Sequence, residues 1–216
     1  MKDIVIFGSW KEFAQVVFDI NAAAGKDSWK IVAIGDENPA LQGKDWHGIP
    51  FVDWKWIEAK KGERFAHCCI GKTAARKRIC ERLLSSGYGL PNIISPSAMV
   101  SHLANLGQGN LICANVQIHP DVHIGNSNMF NVGTHVAHDV RIGDYCNINS
   151  QVNLVEKCQV GDMAYLGAGA TVIKGAKIGI GAIIGANALV NRNIPEGETW
   201  AGVPAKPLKK PKEARD

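Results

Sequence analysis

The sequence predicts two units in series. A small α/β domain with a short parallel sheet occupies residues 1–95, a triangular parallel β-coil follows over 96–195, and an exit segment with a basic tail closes the chain over 196–216. Three observations predict the coil. Stepping by six from Val100 to Val190 meets sixteen positions, each a Val, Leu, Ile or Phe, with no insertion. Such residues fill about a third of an ordinary chain, so chance does not produce the run. Four residues after most of these stands a small or β-branched residue, as at Ala104, Val116, Val122, Thr134, Val140, Cys146, Val152, Cys158, Ala164 and Ala170. Gly107, Gly125, Gly143, Gly161 and Gly179 are spaced by eighteen, or three hexads, so the chain returns to one corner that wants no Cβ. The implied object has three short strands per turn and coils stacked about 4.8 Å apart. Each hexad sends one large aliphatic and one small residue inward, so neighbouring coils bury each other's core.

The front domain reads in order as strand, helix, strand, strand, helix. Ile4-Val5-Ile6-Phe7-Gly8 is a buried strand ending in a glycine turn, and Phe13, Val16, Val17 and Ile20 share one helical face. Ile31 to Ile34 is a second strand, closed by Gly35-Asp36-Glu37. Asn38-Pro39 opens a loop that carries Trp46, Trp54 and Trp56. Phe65 to Ile70 is a third strand ending at Gly71. Thr73 is the expected N-cap of a helix through Leu84 that Gly87 and Gly89 stop. Asn92 to Ser95 leads into the repeat. Alternating strands and helices imply a parallel sheet, whose ligands sit at the strands' carboxyl ends: Gly8-Ser9, Asp36-Glu37 and Gly71-Lys72.

Composition narrows the function classes. Hydrophobic content of 46% with 20% charged residues fits a globular protein, and no run approaches the roughly 20 apolar residues of a membrane span. Lys2 and Asp3 lead straight into a strand, which does not read as a signal peptide. The six cysteines form no CxxC motif and read as reduced core thiols, so a cytoplasmic protein is expected. The net charge of +4 is mild. Its dense basic piece is the tail, Lys206, Lys209, Lys210, Lys212 and Arg215, read as a solvated end or as a neighbour of an anionic ligand. No basic stripe is interleaved with aromatics, so nucleic acid is not an expected partner.

The repeat, with its ending Trp200-Ala201-Gly202-Val203-Pro204-Ala205-Lys206, resembles the hexapeptide-repeat acyltransferases, which fold as a left-handed parallel β-helix. A half-Rossmann domain ahead of such a helix resembles the sialic acid O-acetyltransferase and nucleotide-amino-sugar N-acetyltransferase family. The likeness extends to Asp36-Glu37, to Ile70-Gly71 before a helix containing Arg76, and to Asn92-Ile93-Ile94 before Ser95-Pro96. It implies acetyl-CoA as co-substrate, a sugar or nucleotide-sugar acceptor, a homotrimer and no metal. One departure falls in the first loop. The family has Gly-x-Gly-Gly-His or close to it; here the loop reads Gly8-Ser9-Trp10-Lys11-Glu12-Phe13, with Trp10 filling space that glycine leaves for phosphate or sugar. No GxGxxG is present, which argues against a dinucleotide.

Acyl transfer to an amine or hydroxyl needs a base, and histidine suits the task. Thr134-His135-Val136-Ala137-His138-Asp139-Val140-Arg141-Ile142-Gly143 resembles the family's His-acid pair. The resemblance makes His138 the general base and Asp139 the carboxylate that raises its basicity; His119 and His123 read as solvated surface residues, and His135 as a bland neighbour. Residues eighteen apart stack, so His102, Pro120, His138, Glu156 and Lys174 share a column. Where the family has glycine beside the thioester this chain has Glu156, which is open to three readings: a partner of the histidine, an acceptor contact or a solvent-facing side chain. Where many relatives have a histidine against the acetyl group it has Asn147, still a hydrogen-bond donor. The strips Leu166-Gly167-Ala168-Gly169-Ala170 and Ile184-Gly185-Ala186-Asn187 offer a low wall for a pantetheine arm between subunits. The expected acceptor site is Gly8, Ser9, Trp10, Asp36, Glu37 and Gly71. The expected activity is N-acetylation of an amino-deoxy sugar in bacterial surface-glycan synthesis. An O-acetyltransferase on a sugar hydroxyl such as sialic acid, and a non-catalytic β-helix subunit, are the alternatives.

Overall fold

The computed structural model describes residues 2–8, 10–24, 28–60 and 64–208. Its front domain comprises β1 (Lys2–Gly8), α1 (Trp10–Ala24), β2 (Trp29–Gly35), β3 (Asp45–Trp46), β4 (Ile49–Val52), α2 (Trp54–Ala59), β5 (Phe65–Cys69) and α3 (Thr73–Ser85). The sheet order is β3-β4-β2-β1-β5, parallel except for the β3–β4 hairpin. Ile4, Ile6, Phe13 and Ile34 are fully buried.

Two readings of this domain need correction. The stretch taken as a tryptophan-bearing loop folds into β3, β4 and α2. Asp53 caps α2 by accepting the Trp56 N–H, and Trp54 stacks on Phe7 at 5.1 Å, so a tertiary contact stabilises a helix too short to stand alone. Thr73 is the first helical residue rather than the cap. The cap position falls on Lys72, which has extended backbone and no side-chain capping bond.

The repeat is a left-handed parallel β-helix with three faces. The first face begins at Ile93–Ile94, so the lead-in is already its first rung, and rises through Leu111–Ile112, Met129–Phe130, Asn147–Ile148, Tyr165–Leu166 and Ile183–Ile184 to Thr199–Ala201. The second face runs from Met99–Val100 to Leu189–Val190 and the third from Asn105–Leu106 to Lys177–Ile178. The hexad aliphatics and their small partners fill the prism: Ile118, Phe130, Ile148, Cys146, Cys158 and Ala164 are buried. Trp200, 9% exposed, closes the last coil.

A second hexad periodicity is written in the backbone. From Gly109 to Asn187 every sixth residue is left-handed, whether glycine or not; Asp139, Tyr145, Lys157 and Met163 have φ of 61°, 59°, 63° and 57°. Such a conformation costs a residue with a Cβ about 1–2 kcal/mol. In return the N–H of these residues, from Ser127 onward, bonds the coil before, as in Tyr145 to Asn126 O at 2.8 Å and Lys157 to His138 O at 3.2 Å. The glycine column has a different cause. A Cβ on Gly143 would lie 2.8 Å from Asp162 N, and one on Gly179 2.4 Å from Glu196 N, so close approach of the next coil excludes it.

The front domain lies on the lower coils of the first face. Ile93, Leu111 and Met129 share an apolar cluster with Phe13, Val16 and Val17 of α1. Arg76 of α3 is wholly buried and joins the two units. Its Nε donates to Ser127 O at 2.9 Å, Nη2 to Tyr145 O at 2.6 Å and Cys146 O at 3.1 Å, and Nη1 to Ile70 O at 2.6 Å. Ser127 and Tyr145 are left-handed residues on adjacent coils, so one guanidinium grips two coils and the sheet end. Nearby His67 is buried against Phe13, ring centroids 5.0 Å apart, and desolvation depresses its pKa from 6.5 to about 4.

Two predictions follow from this junction. Arg76→Met strands several buried carbonyls and should lower the unfolding free energy by about 3–5 kcal/mol; a urea titration showing under about 1 kcal/mol would mean that the junction does not rest on it. His67 folds as the neutral base, while the unfolded chain binds its proton below about pH 6.5. Its contribution is therefore complete above pH 6.5 and is lost as pH falls toward 4, by about 3 kcal/mol in all. His67→Leu should flatten this part of the pH–stability curve, and an unchanged slope would place the titration elsewhere.

Candidate active site

His138 sits on the vertex between the second and third faces. Val136 enters the core before it and Val140 after it, which leaves Ala137, His138 and Asp139 to make the turn. The left-handed turn at Asp139 brings its carboxylate back to the imidazole, with Nδ1–Oδ2 of 2.8 Å. Both side chains are about half exposed, 54% and 46%. The hydrogen bond from His138 is the main reason the Asp139 carboxyl stays below its usual pKa, and the charges of His138, Lys157 and Arg141 add to it. A carboxylate oxygen only accepts, so the proton of this hydrogen bond is on Nδ1.

Around this pair the column and its neighbours divide. Glu156 binds Lys174 at 2.8 Å, and that bond is the first cause of its lowered pKa. His119 and His135 pack edge to face on the second face at 4.8 Å, with His135 Nδ1 2.9 Å from Asn153 Oδ1. Burial, then the charges of His135 and His138, lower the His119 pKa. His123 lies on the third face, its Nδ1 3.2 Å from Asp121 O. Among the described residues no group of three or more His, Cys, Asp or Glu is placed to hold a metal ion.

The predicted acceptor residues gather at the sheet end. Gly8 has φ of 85°, and a Cβ there would lie 2.6 Å from Ile70 N, so the turn out of β1 needs glycine. An open cleft of about 410 Å³ is lined by Asp36, Glu37, Pro39, Gln42, Trp54 and Lys55. Glu37 is already committed. Arg78 donates to both its oxygens at 2.8 and 2.6 Å, Trp54 Nε1 donates at 3.0 Å, and the Arg78 hydrogen bond foremost holds its pKa at about 2. Among the described residues the Asp36 carboxylate accepts one hydrogen bond, from the Asn38 N–H at 2.8 Å, and Asp36 lines the cleft. Sequence reasoning missed Arg78 and Trp54. A basic residue on the helix after Gly71 was the available signal, but nothing local paired it with Glu37. Ser9, and the tail residues Lys209, Lys210, Lys212 and Arg215, lie outside the described residues, as does the Trp10 side chain.

The predicted residues thus fall in three places. His138, Asp139 and Glu156 share one vertex. Gly167, Ala168 and Ala186 share the vertex between the first and second faces, where the Ala186 backbone forbids a Cβ on Gly167 at 2.5 Å and both alanines are exposed. Gly8, Asp36, Glu37 and Gly71 stand at the sheet end over the first face, and Asn147 joins them by donating Nδ2 to Gly71 O at 2.6 Å. The His138 vertex is the one opposite the first face. Within a single chain, His138 and the cleft beside Asp36 are therefore on opposite sides of the prism.

Comparison with known proteins places this architecture. The family model for the PglD N-terminal domain matches residues 3–83. No curated protein sequence matches the chain. PerB from Caulobacter crescentus, solved with CoA and GDP-perosamine, is 33% identical, with 97% of this chain and 98% of that chain covered and a TM-score of 0.85. A histidine-to-alanine variant of GDP-perosamine N-acetyltransferase from the same organism, also with CoA and GDP-perosamine, is 32% identical over the same shares, TM-score 0.87. The acetyltransferase domain of PglB from Neisseria gonorrhoeae FA1090, solved with acetyl coenzyme A, shares the fold at 24% identity over 95% of this chain and 98% of that chain, TM-score 0.84. The chain belongs to the PglD-like family of hexapeptide-repeat sugar acetyltransferases.

Proposed function

We infer that the protein is an acetyl-CoA-dependent N-acetyltransferase acting on the amine of a nucleotide-linked amino-deoxy sugar, as in surface-glycan synthesis, and that it works as a homotrimer with each active site shared by two chains. The observation that carries the chemistry is the His138–Asp139 pair, exposed and hydrogen-bonded at 2.8 Å, in a chain 33% identical to a protein solved with CoA and GDP-perosamine. Asp139 fixes the imidazole so that Nε2 is the basic atom. The acceptor nitrogen attacks the thioester carbonyl carbon, the carbon–nitrogen bond forms and the carbonyl π pair moves to oxygen. His138 takes the proton from nitrogen. As the pair returns, the carbon–sulfur bond breaks, and the CoA thiolate leaves and receives that proton. The exposed Ala168 and Ala186 leave room for a pantetheine arm, and Asp36 suits a hydroxyl-bearing acceptor.

Two features support the shared site. Base and acceptor cleft cannot meet within one chain. The second face lies between the His138 vertex and the Ala168–Ala186 vertex, and its outward residues include Gln117, His119, Asn153, Val155, Thr171 and Ile173, with no Lys, Arg, Asp or Glu on its strands. Turned against a neighbour, this face brings one chain's base to the next chain's low wall, a head-to-tail contact that closes as a ring. All six cysteines are buried.

His138→Ala should lower kcat by about 10²- to 10⁴-fold with the KM for acetyl-CoA within a few-fold. His138→Asn should be as poor, Asp139→Asn intermediate and His135→Ala mild. Retention of more than about a tenth of kcat by His138→Ala would remove it as the base, and a screen of 4-amino-sugar nucleotides beside sialic acid distinguishes amine from hydroxyl acceptors. Light scattering should give three times the 23.3 kDa chain mass. Ile173→Glu, on the second face, should shift the protein to monomers with its fold intact; an active monomer would end the shared-site reading.

A further inference from the structure

Directly beyond His138 in the coil stack stands a charged pair that general-base catalysis leaves unused. The Lys157 N–H donates to the His138 carbonyl at 3.2 Å, and the Gly175 N–H to the Glu156 carbonyl at 3.0 Å. These bonds set His138, Glu156 and Lys174 in one column, each roughly 4.8 Å from the next. The Glu156 carboxylate does not turn to His138, whose Nδ1 is held by Asp139. It binds Lys174 Nζ at 2.8 Å, with Glu156 26% and Lys174 63% exposed.

A carboxylate in this place opposes the reaction unless it is answered. As the amine attacks, the carbonyl π pair moves to oxygen, and negative charge grows on an atom beside the imidazole. A second negative charge about one strand away raises that transition state, since a pair so close interacts strongly at a partly desolvated surface. The Lys174 hydrogen bond, and after it the residue's own backbone N–H, lower the Glu156 pKa and so favour its charged form. The charge must be cancelled or moved.

We propose that Lys174 is a positioning residue for acyl transfer: it draws the Glu156 carboxylate along the column, away from the reacting carbonyl, and cancels its charge. The proposal rests on His138 as the base. It makes Lys174 necessary only while Glu156 is present, so the two residues must fail and recover together. An exposed ion pair adds little to stability, and a structural role would not produce this dependence.

The test uses the full-length protein, acetyl-CoA and the 4-amino-sugar nucleotide that the wild type accepts, with release of the CoA thiol followed. Lys174→Met should lower kcat by about 10- to 100-fold while both KM values stay within a few-fold. Lys174→Arg should keep most of the activity. Glu156→Gly alone should be near wild type, and Glu156→Gly with Lys174→Met should recover to within about three-fold of it. A Lys174→Met enzyme at the wild-type rate, or a defect that Glu156→Gly does not relieve, overturns the proposal. So does a large drop in the melting temperature of Lys174→Met, which would make the residue structural. His138→Ala in the same assay separates the two levels. If it is fully active the base assignment falls; if it is inactive while Lys174→Met is normal, only the role of Lys174 falls.

Discussion

The structure depends on the backbone bonds between stacked coils, among them the bond from each left-handed vertex residue between Ser127 and Asn187 to the carbonyl of the coil before. Together with the strand ladders these bonds fix the stagger of successive coils, donor and acceptor being nineteen residues apart at the vertices, as with Lys157 and His138 or Met163 and Asp144. Without these bonds the hexad pattern would specify a greasy prism but not which side chains stack. With them, residues eighteen apart become neighbours, and the chemistry of the outer surface is set in columns. The strain of holding Tyr145 or Met163 with positive φ is the cost of this registration.

Arg76 turns the registration into a placement of domains. Its targets include the carbonyls of two vertex residues one coil apart, so the front domain is docked to a defined height and face of the prism. The same column of the first face shows where coverage stops: Met129 and Asn147 are buried, whereas Tyr165 and Ile183 are exposed by 40% and 43%. Docking on the first face leaves the vertex opposite to it free. The hydrogen-bonded His138–Asp139 pair is on that vertex, clear of the front domain.

Most of the fold was legible because a stacked core imposes one rule on every coil. Leu154, Val160 and Leu166 obey it whatever lies outside. The left-handed vertices were not legible, since Asp, Gln, Lys and Met occupy them as readily as glycine does. The glycine column was legible, but its cause was the approach of another coil, which no single hexad reveals. In the front domain, α2 was missed because its stability comes from Trp54 on Phe7, a contact 47 positions apart in the chain. The site followed the same division. His138 and Asp139 are adjacent in sequence and were read directly, while the commitment of Glu37 to Arg78 and of Asn147 to Gly71 required the tertiary structure. The pairing of Glu156 with Lys174 lay between these cases, for the column was legible and the choice of partner was not.

The three faces obey the same interior rule but carry different exteriors, and this separates two kinds of change in chain length. An insertion of eighteen residues above the docked coils adds one full turn and returns each later residue to its own face. An insertion of six keeps every aliphatic in the core, yet rotates all that follows by a third of a turn. Placed before Thr134, it would carry His138 from its vertex to the one between the third and first faces, beside the chain's own front domain. Such a variant would satisfy the interior and still rearrange the exterior. The interior of this architecture repeats every six residues, its exterior every eighteen.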